Sequence, residues 1–239
     1  MNLTGGITWH WLAWRSQKRW AATSHAIAQW LQSHAQVSQV NGLSDKPTLL
    51  LIGASAGWMM SSAWLMQFSR IDTFDIDPLA ATLFKWRHGA SLKANGVELH
   101  CHTHNALDNL PRLLVQHPKA CVFFDNLLGQ VRFQYPAAQW QQVEQRLLQI
   151  RLQLKGREWG SVHDRMSGPL VNTIEEAAAL PVRKAGWTDQ QWLTALNAQS
   201  PWLDHLTHNV FAPGTPTSDL AWNFSPRYRH WLQAGWVKP

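Results

Sequence analysis

The sequence predicts an α/β fold. The expected architecture is a mostly parallel, twisted sheet with helices on both faces, an N-terminal helical cap and an antiparallel C-terminal hairpin. Three observations lead there. Short apolar runs alternate with stretches of helical period from residue 49 to about residue 163. The first run passes directly into a glycine turn. The last two runs have no helix between them and should pair as a hairpin at one side of the sheet. No repeat and no Pro/Ser-rich linker interrupts the chain, so one domain is expected over 1–239. Its parts are a cap (1–45), a core (46–165) and C-terminal helices with the hairpin (166–239).

Each element has its own signal. Residues 7–34 read as one or two helices: Ile7, Trp11 and Trp14 share one face, and Trp20, Ile27 and Leu31 another. Residues 42–47 read as a turn. Residues 49–52, Leu-Leu-Leu-Ile, make a buried strand, and 53–57 a tight turn. Residues 58–68 should be a helix with Met60, Ala63, Trp64 and Phe68 on one stripe. The uncharged stretch 48–69 is long enough to span a bilayer. Its serines and Gln67 dilute it, and strand–turn–helix is the better reading. Residues 71–76 form a second strand. Asp77-Pro78 then opens a helix, since Asp caps and Pro suits the first helical position. Leu79, Leu83, Trp86 and Ala90 form its predicted stripe, with Gly89 as its stop.

A third strand covers 97–103, a helix holds Leu107, Leu110 and Leu114, and a fourth strand covers 120–124. Residues 136–154 are the clearest helix, with Trp140, Val143, Leu147, Ile150 and Leu154 at helical spacing and Gly156 beyond. A fifth strand is expected at 159–163, and helices at 174–180 and 190–196. The hairpin is placed at 202–211 and 220–224 around Pro213-Gly-Thr-Pro216. Ser225-Pro226 should cap a last short helix.

Composition excludes several classes. Sixteen residues are Trp, against eight Phe and two Tyr, and only 15% are charged, where roughly a quarter is usual. An aromatic-rich chain of low charge is not disordered, and 14 Gly and 12 Pro without a period are not a collagen-like polymer. The net charge of +6 permits an anionic partner without demanding one. Two cysteines, Cys101 and Cys121, are too few for a disulfide framework and suit a reducing cytoplasm. The first residues lack the basic and apolar regions of a secretory signal, so none is expected.

In an open α/β sheet, ligands bind beyond the carboxyl ends of the strands. There Gly53-x-x-x-Gly57 lets the backbone approach a ligand, and Asp75 lies 18 residues after Gly57, close to the spacing of a ribose-binding acid. Asp77 has a sufficient role as a cap, so Asp75 is the ligand candidate.

At these residues the chain resembles the class I, Rossmann-like S-adenosylmethionine-dependent methyltransferases. The matching segments are residues 49–57 (Leu-Leu-Leu-Ile-Gly-Ala-Ser-Ala-Gly), 74–78 (Phe-Asp-Ile-Asp-Pro), 104–107 (His-Asn-Ala-Leu) and 123–126 (Phe-Phe-Asp-Asn). The resemblance covers about residues 45–165. It implies that Gly53, Ala54, Ser55 and Gly57 hold the methionine part of S-adenosylmethionine. It implies that Asp75 holds the ribose, that Ile76 packs on adenine, and that Asn105, with Ala106, meets the adenine edge. Ser55 replaces the middle turn glycine, and Asn105 the usual acid. Asp125 and Asn126 fall where substrate and methyl meet, with Gln130 nearby, and Asp125 and His163 are candidate bases. The Asn/Asp-Pro-Pro-aromatic motif of nucleic-acid amino methylases is absent, so a small-molecule or protein acceptor is expected over a base.

Other readings compete for the same residues. Gly53-x-Ser55-x-Gly57 is also the nucleophile-elbow pattern of α/β-hydrolases, with Ser55 as nucleophile. That fold places several strands before the elbow, and here only helix precedes. A non-catalytic module binding a nucleotide or RNA is the remaining alternative. His100, His102 and His104 alternate along one strand and suggest metal, but an edge strand explains the pattern better, and no metal is expected. Residues 9–15 form a lid or simply pack in the core; a membrane-surface helix would want more basic residues. Arg165, Arg183 and Lys184 could meet an anionic substrate or lie on solvated surface. Trp64, Trp86 and Trp140 are expected in the core. Trp9, Trp11, Trp14, Trp58, Trp187, Trp192, Trp222, Trp231 and Trp236 are the candidates for ligand contact.

Overall fold

The structure, a computed structural model, describes residues 3–35, 46–175 and 178–239. Helices α1 (Leu3–Arg15) and α2 (Gln17–His34) precede the sheet. Alternation then follows as the sequence predicts: β1 (Thr48–Ile52), α3 (Ser62–Leu65), β2 (Arg70–Asp75), α4 (Pro78–Phe84), α5 (Ala90–Ala94) and β3 (Glu98–Thr103). Next come α6 (Leu110–Gln116), β4 (Cys121–Asp125), α7 (Leu127–Gln130), α8 (Trp140–Gln153) and β5 (Trp159–Pro169). The C-terminal part holds α9 (Asp189–Ala195), the two-residue strand β6 (Leu203–Asp204), β7 (Thr217–Ser225) and β8 (Tyr228–Val237).

The sheet runs β3-β2-β1-β4-β5-β8-β7, with β6 pairing β5 off this path. The first five strands in that order are parallel, and β8 is antiparallel to both β5 and β7. Strand order reverses between β1 and β4, so the crevice for a ligand lies at their carboxyl ends. Successive residues of a strand point to opposite faces. Leu49 and Leu51 pack with Ile27, Leu31, Trp64 and Phe84 on one face. Leu50 and Ile52 pack with Leu110, Val143, Leu147 and Ile150 on the other. Burial on both faces is why this strand reads as an uninterrupted apolar run.

Several expectations are corrected. The hairpin partners are β7 and β8; Tyr228–Val237 extends as strand, where a short helix was expected. Leu232, Ala234 and Trp236 pack on one face of this strand and Trp231 on the other, so burial on both faces leaves no plain alternation, and the Ser-Pro signal before it misled. Residues 58–61 turn, and only α3 is helical, although Met60, Trp64 and Phe68 are buried as expected. After α4 the chain passes through a π-helical turn at Lys85–Gly89. The buried stripe is Ala80, Phe84, His88 and Leu92, one position off the expected Leu79 and Leu83 already in α4, and the wider turn continues the helix past Gly89. Trp86 is 69% exposed and Trp140 38%, so neither is a core residue. The turn expected at 42–47 lies largely outside the described residues, as do 176–177 of the helix expected at 174–180; the described residues of that stretch are not helical. Among the described residues no helix is long and apolar enough to cross a membrane.

Candidate functional site

The loop after β1 carries three left-handed residues: Gly53 at φ +75°, Ser55 at +46° and Gly57 at +61°. Such a φ is easy for glycine and strained for serine. The Ser55 conformation is held from outside. Its amide donates to Asp75 Oδ2 at 2.7 Å, and the Asp77 amide donates to Asp75 Oδ1 at 2.8 Å. Asp75 thus ties the tip of β2 to the loop of β1. Burial pushes its carboxyl up, and the two amides work the other way. Each carboxylate oxygen keeps a further lone pair for a ligand hydroxyl. Beside it Ile76 is 46% exposed, an apolar surface at the strand tip. Asp77 caps α4 through Leu79 N at 2.9 Å, as its place before Pro78 predicts.

Gly57 is held from beneath by His88, whose Nε2 lies 3.2 Å from the Gly57 carbonyl while Nδ1 meets Ser62 Oγ at 2.7 Å. Burial lowers this imidazole to about 4, so it is neutral. Asn105 accepts from Leu107 N at 3.1 Å and donates to Asp108 at 2.9 Å, and Ala106 is buried. Asn105 is thus a cap first, with one lone pair left over.

Asp125 and Asn126 end β4 across the crevice. Burial, and then the charge of Asp75, push the Asp125 carboxyl up to about 7. Asn126 is left-handed, at φ +53°. Its amide group donates to Asp164 Oδ2 at 2.9 Å and its oxygen accepts from Asp164 N at 2.8 Å.

Helix α1 covers these residues. Trp9 donates its indole N–H to Ser55 Oγ at 3.1 Å. His10 accepts from the Trp58 indole at Nδ1, so its proton sits on Nε2, 3.0 Å from Asp77 Oδ2. Beneath α1 lies a cavity of about 70 Å³ walled by Trp9, Trp20, Trp58, Trp222, Ser55 and Asn126, among others. The inner face of residues 9–15 packs inward, with His10 and Ala13 buried, while Trp11 and Trp14 point outward, 54% and 62% exposed. The Trp222 indole N–H on the cavity wall is buried without a hydrogen-bond partner among the described residues.

No family model matches the sequence, and no curated protein matches it. Among solved structures the chain is similar to an S-adenosylmethionine-dependent methyltransferase from Anabaena variabilis ATCC 29413, at 10% identity over 98% of this chain and 96% of that one, TM-score 0.45. It is also similar to magnesium protoporphyrin IX methyltransferase from Synechocystis PCC 6803 with bound S-adenosylmethionine, at 12% identity over 89% and 77%, TM-score 0.43. A third is the N-methyltransferase NodS from Bradyrhizobium japonicum WM9 in complex with S-adenosyl-L-homocysteine, at 8% identity over 80% and 79%, TM-score 0.39.

Other expectations resolve by geometry. Ser55 Oγ meets the Trp9 indole, and no described histidine hydrogen-bonds to it, so the hydrolase arrangement is not assembled. His163 is fully buried, bonded to Ser161 and lowered to about 3 by burial, which removes it as a base at the crevice. The histidine strand β3 is an edge, with His102 on Asp72 at 3.0 Å and stacked on Phe74. Arg165 pairs with Asp204, and Arg183 with Asp189 and Asp219, while Lys184 lies over Trp187. Sequence reasoning missed Asp164, His205 and His230, which the bulge in β5 and the unexpected strand β8 bring together. No local signal marks them, since they lie far apart in the sequence and meet only through strand pairing.

Proposed function

We propose that this chain transfers the methyl group of S-adenosylmethionine to an acceptor, a small molecule or protein rather than a nucleic-acid base. The observation that carries this reading is the loop of β1, held in left-handed geometry by main-chain bonds to Asp75 at the reversal of strand order. Bound there, S-adenosylmethionine would supply a methyl group already activated on a sulfonium sulfur. Gly53, Ala54, Ser55 and Gly57 would hold its methionine part through main-chain groups. The free lone pairs of Asp75 would take the ribose hydroxyls. Exposed Ile76 would lie against the adenine, and Asn105 and Ala106 at its edge.

The chain's own part is alignment and exclusion of water. Trp9, Trp20 and Trp222 face the cavity with ring surfaces that favour a cation such as a sulfonium. Asp125, held near 7, and Asn126 border the acceptor side. The cavity is about 70 Å³, whereas small-molecule pockets occupy roughly 300–1,000 Å³. Binding therefore calls for more room than this space offers, and α1, which carries Trp9 and His10, is the element that covers it. The two free thiols, Cys101 and Cys121, suit a cytoplasmic setting. Calorimetry with S-adenosylmethionine and S-adenosylhomocysteine tests the reading: heat of binding with micromolar affinity is expected, and no heat with either at high protein concentration overturns it.

A further inference from the structure

We propose that His230, oriented by Asp164, is the general base that deprotonates the methyl acceptor, and that the acceptor is a flat aromatic molecule carrying a hydroxyl. This rests on the methyl-transfer reading above. Asp164 on β5 is fully buried and fully engaged. Its Oδ2 accepts from Asn126 at 2.9 Å and Gln130 at 3.0 Å, and its Oδ1 lies 2.7 Å from His230 Nδ1. Its partners His230 and Asn126 hold this carboxyl below the usual range despite its burial. A carboxylate at Nδ1 places the ring proton there, leaving Nε2 as a bare acceptor. Nε2 has no hydrogen-bond partner among the described residues, and the side chain keeps 12% of its surface exposed.

The dyad adjoins the cavity twice. Asp164 is bonded to Asn126 on its wall, and the His230 ring lies 4.8 Å from the ring of Trp222, which lines it. The other titratable groups near His230 are Tyr228, at 5.5 Å between ring centres, and His205, at 6.3 Å. His205 is committed elsewhere: Nδ1 meets the Gly129 carbonyl at 2.8 Å and Nε2 meets Ser167 Oγ at 2.9 Å. Asp164, His205 and His230 are close enough to hold a metal ion, but their hydrogen-bond sets are already filled by protein groups. Among the described residues the outer nitrogen of His230 alone is left open in this group.

The substrate class follows from what needs a base. A neutral amine attacks with its lone pair, and a carboxylate is already ionised; a hydroxyl must lose its proton. Tryptophan walls suit a planar ring, and the unpartnered Trp222 N–H offers a donor to its oxygen. As the acceptor oxygen forms its bond to the methyl carbon, its proton passes to His230 Nε2. The carbon–sulfur bonding pair returns to sulfur, leaving a neutral thioether, and Asp164 faces the imidazolium.

Two measurements test this. The first needs no cofactor: a long-range proton–nitrogen spectrum of the protein, with His230 assigned by His230→Gln, should show Nδ1 protonated and Nε2 bare. The reverse tautomer, or one equivalent of tightly bound metal lost in His230→Gln, overturns the dyad. The second follows S-adenosylhomocysteine release with a panel of hydroxylated aromatics, the matching anilines and the matching benzoates. Hydroxylated compounds should be turned over preferentially. His230→Gln should lower kcat about 100-fold or more with little change in KM, and the deficit should shrink above the acceptor's own hydroxyl pKa. Turnover of none of the hydroxylated compounds, or equal activity of variant and parent across pH, overturns the proposal. Calorimetry with S-adenosylhomocysteine on both proteins separates the causes: absence of binding to the parent defeats the methyl-transfer reading, whereas intact binding with a failed panel defeats only this one.

Discussion

At the scale of single residues, the loop after β1 makes sharp demands. A Cβ added at Gly57 would stand 2.5 Å from His88 Nε2, in a backbone conformation that already disfavours side chains. Gly57→Ala should cost about 1–3 kcal/mol in denaturant unfolding. Part of that loss should return in a Gly57→Ala/His88→Ala double variant, if the clash is the cause. Asp75→Ala should weaken S-adenosylhomocysteine binding by roughly 1–3 kcal/mol and lower Tm as well, because it also frees the Ser55 and Asp77 amides. Asp125 gives a pH test. Unfolded, it titrates as an ordinary carboxyl near 4; folded, it does so near 7. Below pH 4 it is protonated in both states and costs nothing. As pH rises toward 7 the unfolded chain loses this proton first, so stability falls across that window and stays lower beyond it. Asp125→Asn should flatten the decline and be more stable than the parent at pH 8, by about 1–3 kcal/mol. Much of this site was legible: Gly53, Gly57, Asp75 and Asp77 stand at positions where backbone geometry dictates the residue type. His230 was not, because a base needs only proximity, and proximity comes from strand pairing that local sequence does not encode.

Elements were legible where one period dominated. α8 and β1 read cleanly, since burial of one stripe or of both strand faces leaves a plain pattern. The helix from Pro78 read correctly at its cap, which is local chemistry, but its buried face is Ala80 and Phe84 rather than Leu79 and Leu83, and its continuation past Gly89 was not read. A π turn carries no residue signature, yet it rotates every later side chain. The strand β8 was lost to the opposite cause, a strong local Ser-Pro signal overruled by tertiary pairing. Its neighbour β5 shows how that pairing is fitted: a Cβ at Gly160 would collide with the ring of Trp236, its partner on β8. Gly160→Ala should therefore destabilise the protein by about 1–3 kcal/mol in chemical denaturation, more than the same change at Gly89, where the nearest atom, Lys85 Cβ, lies 3.8 Å from the added carbon. For α1, Trp9→Ala should cost about 1–3 kcal/mol of stability and speed S-adenosylhomocysteine association several-fold, measured by stopped flow.

At the scale of the molecule, one sheet of eight strands joins the N-terminal and C-terminal parts. Trp20 of α2 donates to the Phe224 carbonyl of β7, a bond across 204 residues at 3.1 Å. Unfolding should accordingly be a single transition, with near- and far-ultraviolet circular dichroism coincident; two separated transitions would show independent halves. The predominance of tryptophan also takes a sharper meaning at this scale. Six aromatic contacts link Trp9, Trp20, Trp222 and Phe224 into one cluster directly under α1. Its narrow cavity of about 70 Å³ under α1 makes entry a timed event. A ligand must wait for α1 to open, so the observed binding rate should rise with concentration and then level off at the opening rate. The indole of Trp9, released from Ser55 at that moment, would report each opening as a change in its own fluorescence, giving the protein a built-in clock for its slowest step.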